Sequence, residues 1–250
     1  MNVKNEKKKK RKKMLALIDG DILLYRIGFS TENESESIAK VRMSEYISEI
    51  LQGSGAGEYR IFLSPSDKTN FRYDLLPSYK GNRTQPKPKW FWQLKQYLIE
   101  YEEAIVAIEQ EADDLLGIMQ MECMANSVDS IICSIDKDLL QIPGFHYNFV
   151  KQRIYKITPE LGRYNFYMQL LTGDPTDNIP GIDGIGPKKA QRILEGCRTI
   201  REYNKAVLEA YKDHFIYCNE DELIKHIEII GNLLYIRKKY DEKWKFKQYA

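Results

Sequence analysis

Gly173-Asp-Pro-Thr-Asp-Asn-Ile-Pro-Gly-Ile-Asp-Gly-Ile-Gly-Pro-Lys-Lys-Ala190 sets two carboxylates, Asp174 and Asp177, three residues apart and directly ahead of a glycine-rich hairpin. Gly181, Gly184 and Gly186 permit tight turns and the close approach of a backbone to a ligand. Pro187 suits the first position of a helix running on through Lys188, Lys189 and Ala190. Free amides at such a helix start, with two lysines beside them, suit a phosphate. Carboxylates able to hold a metal thus adjoin a sequence-blind grip on a nucleic-acid backbone, a pairing that points to nuclease chemistry.

Working outward, short apolar runs alternate with helical patterns. Leu15-Ala16-Leu17-Ile18 is closed by Asp19-Gly20-Asp21 and reads as a buried parallel strand. Helical patterns cover residues 22–29 and 38–52, and residues 59–63 and 104–108 read as strands. Thr84-Gln85-Pro86-Lys87-Pro88 breaks structure before a helix over residues 92–101. Glu111-Ala112-Asp113-Asp114 opens an apolar helix, and Asp136-Lys137-Asp138-Leu139-Leu140 follows a strand-like run over residues 130–135. Thr158 and Pro159 supply a helix cap and first position, with mostly helix beyond. The expected fold is α/β: a mainly parallel central sheet flanked by helices over residues 14–157, then a helical region over 158–250. Residues 80–95 would form a short arch over the site, because only 27 residues separate Arg83 from Glu111. The spacing of Phe91, Leu94 and Leu98 assigns most of the Trp90-Phe91-Trp92 cluster to core packing.

Hydrophobic residues at 43% and charged residues at 30% describe a globular chain, and no apolar stretch approaches the roughly 18 residues that span a bilayer. Cys123, Cys133, Cys197 and Cys218 lack zinc-ligand spacing and read as reduced thiols of a cytoplasmic protein. The net charge of +2 hides a split: residues 4–13 hold eight Lys or Arg and one Glu, a local +7, leaving −5 for the rest. Residues 1–13 would form a disordered basic tail.

In a parallel sheet, ligands gather beyond the C-terminal ends of the strands. Asp19, Glu111, Asp136 and Asp138 all follow strand-like runs, so one site can collect them. Such a cluster is unfavourable unless cations compensate it, and hard oxygen donors suit Mg²⁺ or Mn²⁺. On a helix beginning at Glu111, residues 111 and 114 lie on neighbouring faces and 113 points away. That spacing ranks Asp114 above Asp113 as a ligand. Singly, Asp-Gly-Asp is a common turn and Glu-Ala-Asp-Asp a common solvated helix start. Their joint occurrence favours a site.

These blocks, together with Phe71-Arg72 and Tyr79-Lys80-Gly81-Asn82-Arg83, resemble in order and content the 5′-nuclease family of flap endonucleases, phage 5′–3′ exonucleases and the nuclease domain of bacterial DNA polymerase I. The resemblance covers residues 14 to 200 or so. It implies a helix–hairpin–helix motif at 173–195 that holds duplex DNA, and 5′–3′ exonuclease and 5′ flap endonuclease activity leaving 5′-phosphates by a two-metal mechanism. By position, Asp19, Glu111, Asp114 and Asp136 would hold the first metal, with Asp113 behind them. Asp138, Asp174 and Asp177 would shape the second. Lys80 and Arg83 would contact the scissile phosphate, and Tyr79 would either stack on a terminal base or pack within the protein. Gly184, Gly186, Lys188 and Lys189 would bind DNA, and Gly181, Gly184 and Gly186 would place a potassium ion in the hairpin. The resemblance also implies a monomer in a bacterium or phage-infected host, working with a replication polymerase or single-strand-binding protein. The family carries an aspartate after its second strand, where this chain reads Leu63-Ser64-Pro65-Ser66-Asp67. Either Asp67 reaches back, or the first metal position has one carboxylate fewer. Two alternatives stand beside this reading: a branched-DNA-binding protein with a degraded metal site, and a ribonuclease acting on RNA–DNA hybrids.

Overall fold

Ala16, Leu17 and Ile18 are fully buried in β1, Leu15–Asp19. In this computed structural model, which describes residues 13–246 apart from 68 and 217, β1 pairs in parallel with β2, Glu58–Leu63, and with β4, Ser130–Cys133. A run buried on both faces suits that central place. β3, Ile105–Val106, extends the sheet beyond β2, and β5, Gly144–Asn148, extends it beyond β4. The order is β3-β2-β1-β4-β5-β6, with β6, Arg153–Ile157, antiparallel at the edge. The β5–β6 hairpin is absent from the sequence reading because His146, Asn148, Arg153 and Lys156 interrupt any apolar run there.

Alternation along β1 sends Leu17 to one face and Ala16 and Ile18 to the other. The Ile18 face packs on α1, Gly20–Ser30, α2, Glu36–Ser54, and α4, Phe91–Tyr101, through residues such as Leu24, Met43 and Leu94. The Leu17 face packs on α5, Ala112–Ala125, through Leu115 and Leu116. α1 leaves β1 without a loop, which Gly20 permits: a Cβ there would lie 2.7 Å from the Phe62 carbonyl oxygen.

A second core is built by α6, Pro159–Thr172, α7, Pro187–Ile193, α8, Ile200–His214, and α9, Glu220–Leu234, around Leu170, Val207 and Ile227. A one-turn helix, α3, Arg72–Leu75, lies where the two cores meet. The segment at residues 83–88, within the expected short arch, is irregular, and residues 81–87 are exposed. Pro86 and Pro88 deny it helical hydrogen bonds. The basic run at residues 4–12 lies outside the described residues.

Candidate active site

Strand register decides what meets at the C-terminal edge of the sheet. Asp19 stands opposite Phe62 and Ile18 opposite Cys133, so the three central strands end level. Residues just beyond them flank Asp19, and Ser134 donates its hydroxyl to Asp19 at 2.7 Å. Asp19 also caps α1 by accepting the Ile22 amide at 3.2 Å. Burial, with Asp21 and Asp136 nearby, pushes the Asp19 carboxyl up to about 7.

Glu111 is the cap residue of α5, not its first helical residue. The 100° spacing that ranked Asp114 above Asp113 therefore has no basis, and the structure reverses the order. Asp114 is fully buried and turned away, accepting two bonds from Arg72 at 2.6 and 3.0 Å and the amides of Glu111 and Arg237. Its oxygens are committed, which corrects the expectation that it binds metal. Asp113 faces the cluster instead. Burial and the charges of Asp19, Asp136 and Glu111 hold its carboxyl well above the usual range.

Asp136 and Asp138 follow β4 around a 3-10 turn, Asp138–Gln141. Burial, with Asp136 and Asp174 adjacent, raises Asp138 to about 8, and burial raises Asp136 likewise. Asp174 and Asp177 bound a second 3-10 turn, Pro175–Asp177, which the isolated bridge between Asp174 and Ile179 closes. Lys137 lies 3.4 Å from Asp174.

The loop at residues 78–83 is laced to that turn. The Lys80 amide donates to the Asp177 carbonyl at 2.8 Å, Asn82 to the Pro175 carbonyl at 2.7 Å, and Asn178 to the Ser78 carbonyl at 2.8 Å. Lys80 is held at φ 54, a conformation few non-glycine residues adopt, which aims its ammonium inward. That ammonium pairs with Glu111 and lies 3.6 Å from Asp177, while Arg83 pairs with Asp177. Burial alone would raise the Glu111 carboxyl, but Lys80 and Arg72 hold it at about 2. Tyr79 is 2% exposed, and its hydroxyl donates to Glu111 at 2.8 Å and to Asp177 at 3.1 Å. Its ring lies edge-on to Tyr73 inside the second core, so the expected stacking on a base is corrected: the ring has no open face.

Ser64 directly follows β2, and its hydroxyl accepts the Ala112 amide at 3.0 Å. Asp67 does not reach back; it is exposed and accepts the Thr69 hydroxyl at 2.7 Å. Among the described residues, no three acidic, histidine or cysteine side chains are gathered tightly enough to enclose a metal ion as they stand. Lys80, Arg83 and Lys137 pair with several of them instead. The donor set nonetheless suits a hard divalent cation. It is carboxylate oxygen throughout, and Asp19, Asp113, Asp136 and Asp138 are each raised by burial and by neighbouring carboxylates, which such a charge relieves.

In the hairpin, Gly181 lays its backbone on α6, where a Cβ would lie 2.2 Å from Thr172. Gly184 has φ 74, and a Cβ at Gly184 or Gly186 would meet nothing within 4 Å. Lys188 and Lys189 are exposed. α7, seven residues long, starts at Pro187 with Gly186 as its cap. Sequence reasoning gave no role to Asp21, Ser134 or the Arg72–Asp114 pair. Asp21 was in view within Asp19-Gly20-Asp21, but partners distant in sequence had no local signal.

A mainly parallel sheet with acidic groups collected past its central strands defines an α/β protein with a carboxylate-rich ligand edge. The chain belongs to the 5′–3′ exonuclease family, and is an enzyme of that exonuclease and flap endonuclease class: residues 14–164 match the family's N-terminal, resolvase-like domain. It is 30% identical over 213 residues to a 5′–3′ exonuclease of Buchnera aphidicola, covering 78% of this chain and 74% of that protein. It is 30% identical over 198 residues to the flap endonuclease Xni of a Shewanella species, covering 74% and 75%. Identity to DNA polymerase I of Bacillus caldotenax is 29%, over 76% of this chain but 24% of the polymerase. In fold it is similar to the bacteriophage T5 D15 protein, crystallised with metal ions, at a TM-score of 0.61 and 19% identity over 90% of this chain and 88% of that one. Among the described residues no helix is long and apolar enough to cross a membrane.

Proposed function

We propose that this protein hydrolyses DNA at 5′ ends and 5′ flaps, leaving 5′-phosphates, with two divalent cations, Mg²⁺ or Mn²⁺. The observation that carries the reading is that Asp19, Glu111, Asp113, Asp136, Asp138, Asp174 and Asp177, from separate segments of the chain, bear on one another's charge at one edge of the sheet, with Lys80 paired to Glu111 and 3.6 Å from Asp177. Asp19, Asp113, Glu111 and Asp136 would hold the first metal; Asp138, Asp174 and Asp177 would hold the second, with Asp136 near both. Bound there, the cations would supply an activated water and stabilise the leaving oxygen.

The chain's own groups complete the site. Lys80 and Arg83 sit on the loop that closes over Asp177 and offset charge developing on the scissile phosphate. Tyr79 and Ser134 orient Glu111 and Asp19 through their hydroxyls. Lys188 and Lys189, beside the bare backbone of Gly184 and Gly186, hold the duplex at a distance from the cut. A potassium ion at the hairpin belongs to the same reading, as do a monomeric state and a polymerase or single-strand-binding protein as replication partner.

The test incubates the protein with 5′-labelled and 3′-labelled flap DNA, with Mg²⁺ and with chelator. Release of short 5′ products only with metal is expected. Intact DNA at every metal concentration, despite a measurable complex, would instead establish a branched-DNA binder. An RNA–DNA hybrid in parallel identifies a ribonuclease if it alone is cut.

A further inference from the structure

Asp21 is the second residue of α1, so its side chain leaves the first turn on the same sheet edge as Asp19. Both of its oxygens accept one amide, that of Ser64, at 3.1 and 3.2 Å. The Ser64 hydroxyl bears on the same carboxylate, and since a carboxylate has about four acceptor directions, part of its capacity is unused. Among the described residues no Lys or Arg lies within 4 Å of it, although Lys80 and Lys95 bear on its charge from further away. The Ser64 peptide is fixed from its other side, since the part-buried Lys95 ammonium donates to the Ser64 carbonyl at 2.6 Å and to the Ser66 hydroxyl at 3.0 Å. The chain at the end of β2 is thus held on both sides of the Ser64 Cα, by Asp21 at its amide and by Lys95 at its carbonyl.

A tie from α1 to the end of β2 does not need a charge. Asn would accept the same amide, and Asp21 repels Asp19, of which it is the foremost acidic neighbour. Two like charges at a poorly solvated strand end are unfavourable unless a cation joins them. Ser64 cannot serve in their place, because its hydroxyl is neutral and already accepts the Ala112 amide.

We propose that Asp21 is a ligand of the first metal, supplying from the first turn of α1 the carboxylate that the family places at the end of the second strand. This rests on the metal-dependent reading above. The carboxylate has moved from strand to helix, and Ser64 now orients it instead of coordinating.

Mn²⁺ binding, followed by electron paramagnetic resonance of the free ion without DNA, tests this in the full chain and in Asp21→Asn. Asn keeps an acceptor for Ser64, so the fold is expected to hold, with a Tm in chelator equal to or above wild type. Affinity for the tighter Mn²⁺ should fall by more than the roughly 10–100-fold typical of losing a residue that only orients a ligand. The double variant Asp21→Asn with Ser64→Asp should recover most of it. Unchanged Mn²⁺ affinity in Asp21→Asn overturns the proposal, whatever happens to its Tm. If Asp21→Asn does not fold, the double variant decides: Mn²⁺ affinity near wild type supports the assignment, and its loss overturns it. Failure of wild type to bind Mn²⁺ would instead sink the metal-dependent reading itself.

Discussion

Asp113 and Asp114 are neighbours with opposite fates. Asp113 accepts no hydrogen bond among the described residues and faces other carboxylates; Asp114 is fully buried against a guanidinium. Replacing each by Asn should therefore separate function from stability. Asp113→Asn removes like-charge repulsion, so its Tm in chelator should rise, while turnover falls on the order of 10²–10³-fold, the usual scale for removing one electrostatic support of a transition state. Asp114→Asn breaks a buried ion pair and should lower stability by about 3–5 kcal/mol. Thermal melts with chelator and initial rates with Mg²⁺ check both; a stable, inactive Asp114→Asn would reverse the assignment. Lys80→Ala should reduce turnover far more than DNA affinity, since its charge acts on the transition state. An effect on affinity alone would make Lys80 a plain backbone contact. The pairing of Asp114 with Arg72 was not legible in the sequence, because residues 42 apart form no local pattern. The ranking failed for a more specific reason: Glu111 caps the helix in an extended conformation, at ψ 166, so helical angles do not reach it.

Elements were more legible than side-chain partners. β1, α1, α2, β2 and α4 follow from apolar periods bounded by Asp-Gly, Gly and Pro, and the Thr158–Pro159 start of α6 follows from capping chemistry. β5 and β6 escaped because edge strands carry polar residues, and α3 escaped because one turn has no period. Trp92, 52% exposed beneath Lys87, shows where helical spacing assigned packing only in part: Phe91, Leu94 and Leu98 are buried, and Trp92 is not. The hairpin element predicts a salt effect. Lys188→Ala with Lys189→Ala should flatten the slope of log affinity against log salt by about 0.9 for each phosphate that is no longer neutralised, leaving turnover at saturating DNA unchanged. Deleting residues 1–13 should flatten it as well, if the basic run touches DNA. Titrations between low and moderate salt measure both slopes, and an unchanged slope in either variant removes that element from the interface.

At the scale of the whole molecule, the parallel sheet and its ligand edge were readable because central strands are apolar on both faces and end in Asp-Gly or Ser. How the helical core sits on that sheet was not readable. Arg72 helps to join them: its guanidinium donates to the carbonyls of Leu233 and Tyr235 at 2.9 Å each, while its partner Asp114 takes the Arg237 amide at 3.0 Å. One buried fork thus bolts the end of α9 to the start of α5. The consequence is metrological. With the hairpin lysines on the helical side of this bolt and Asp19, Asp113 and Asp136 on the sheet side, the span between grip and cut is a fixed ruler. Lysine cannot make the two-pronged contact. Arg72→Lys should therefore leave cleavage metal-dependent but let the cut wander, spreading one dominant product of a flap substrate over several adjacent lengths on a sequencing gel. A single sharp product from that variant would show that the ruler is set elsewhere.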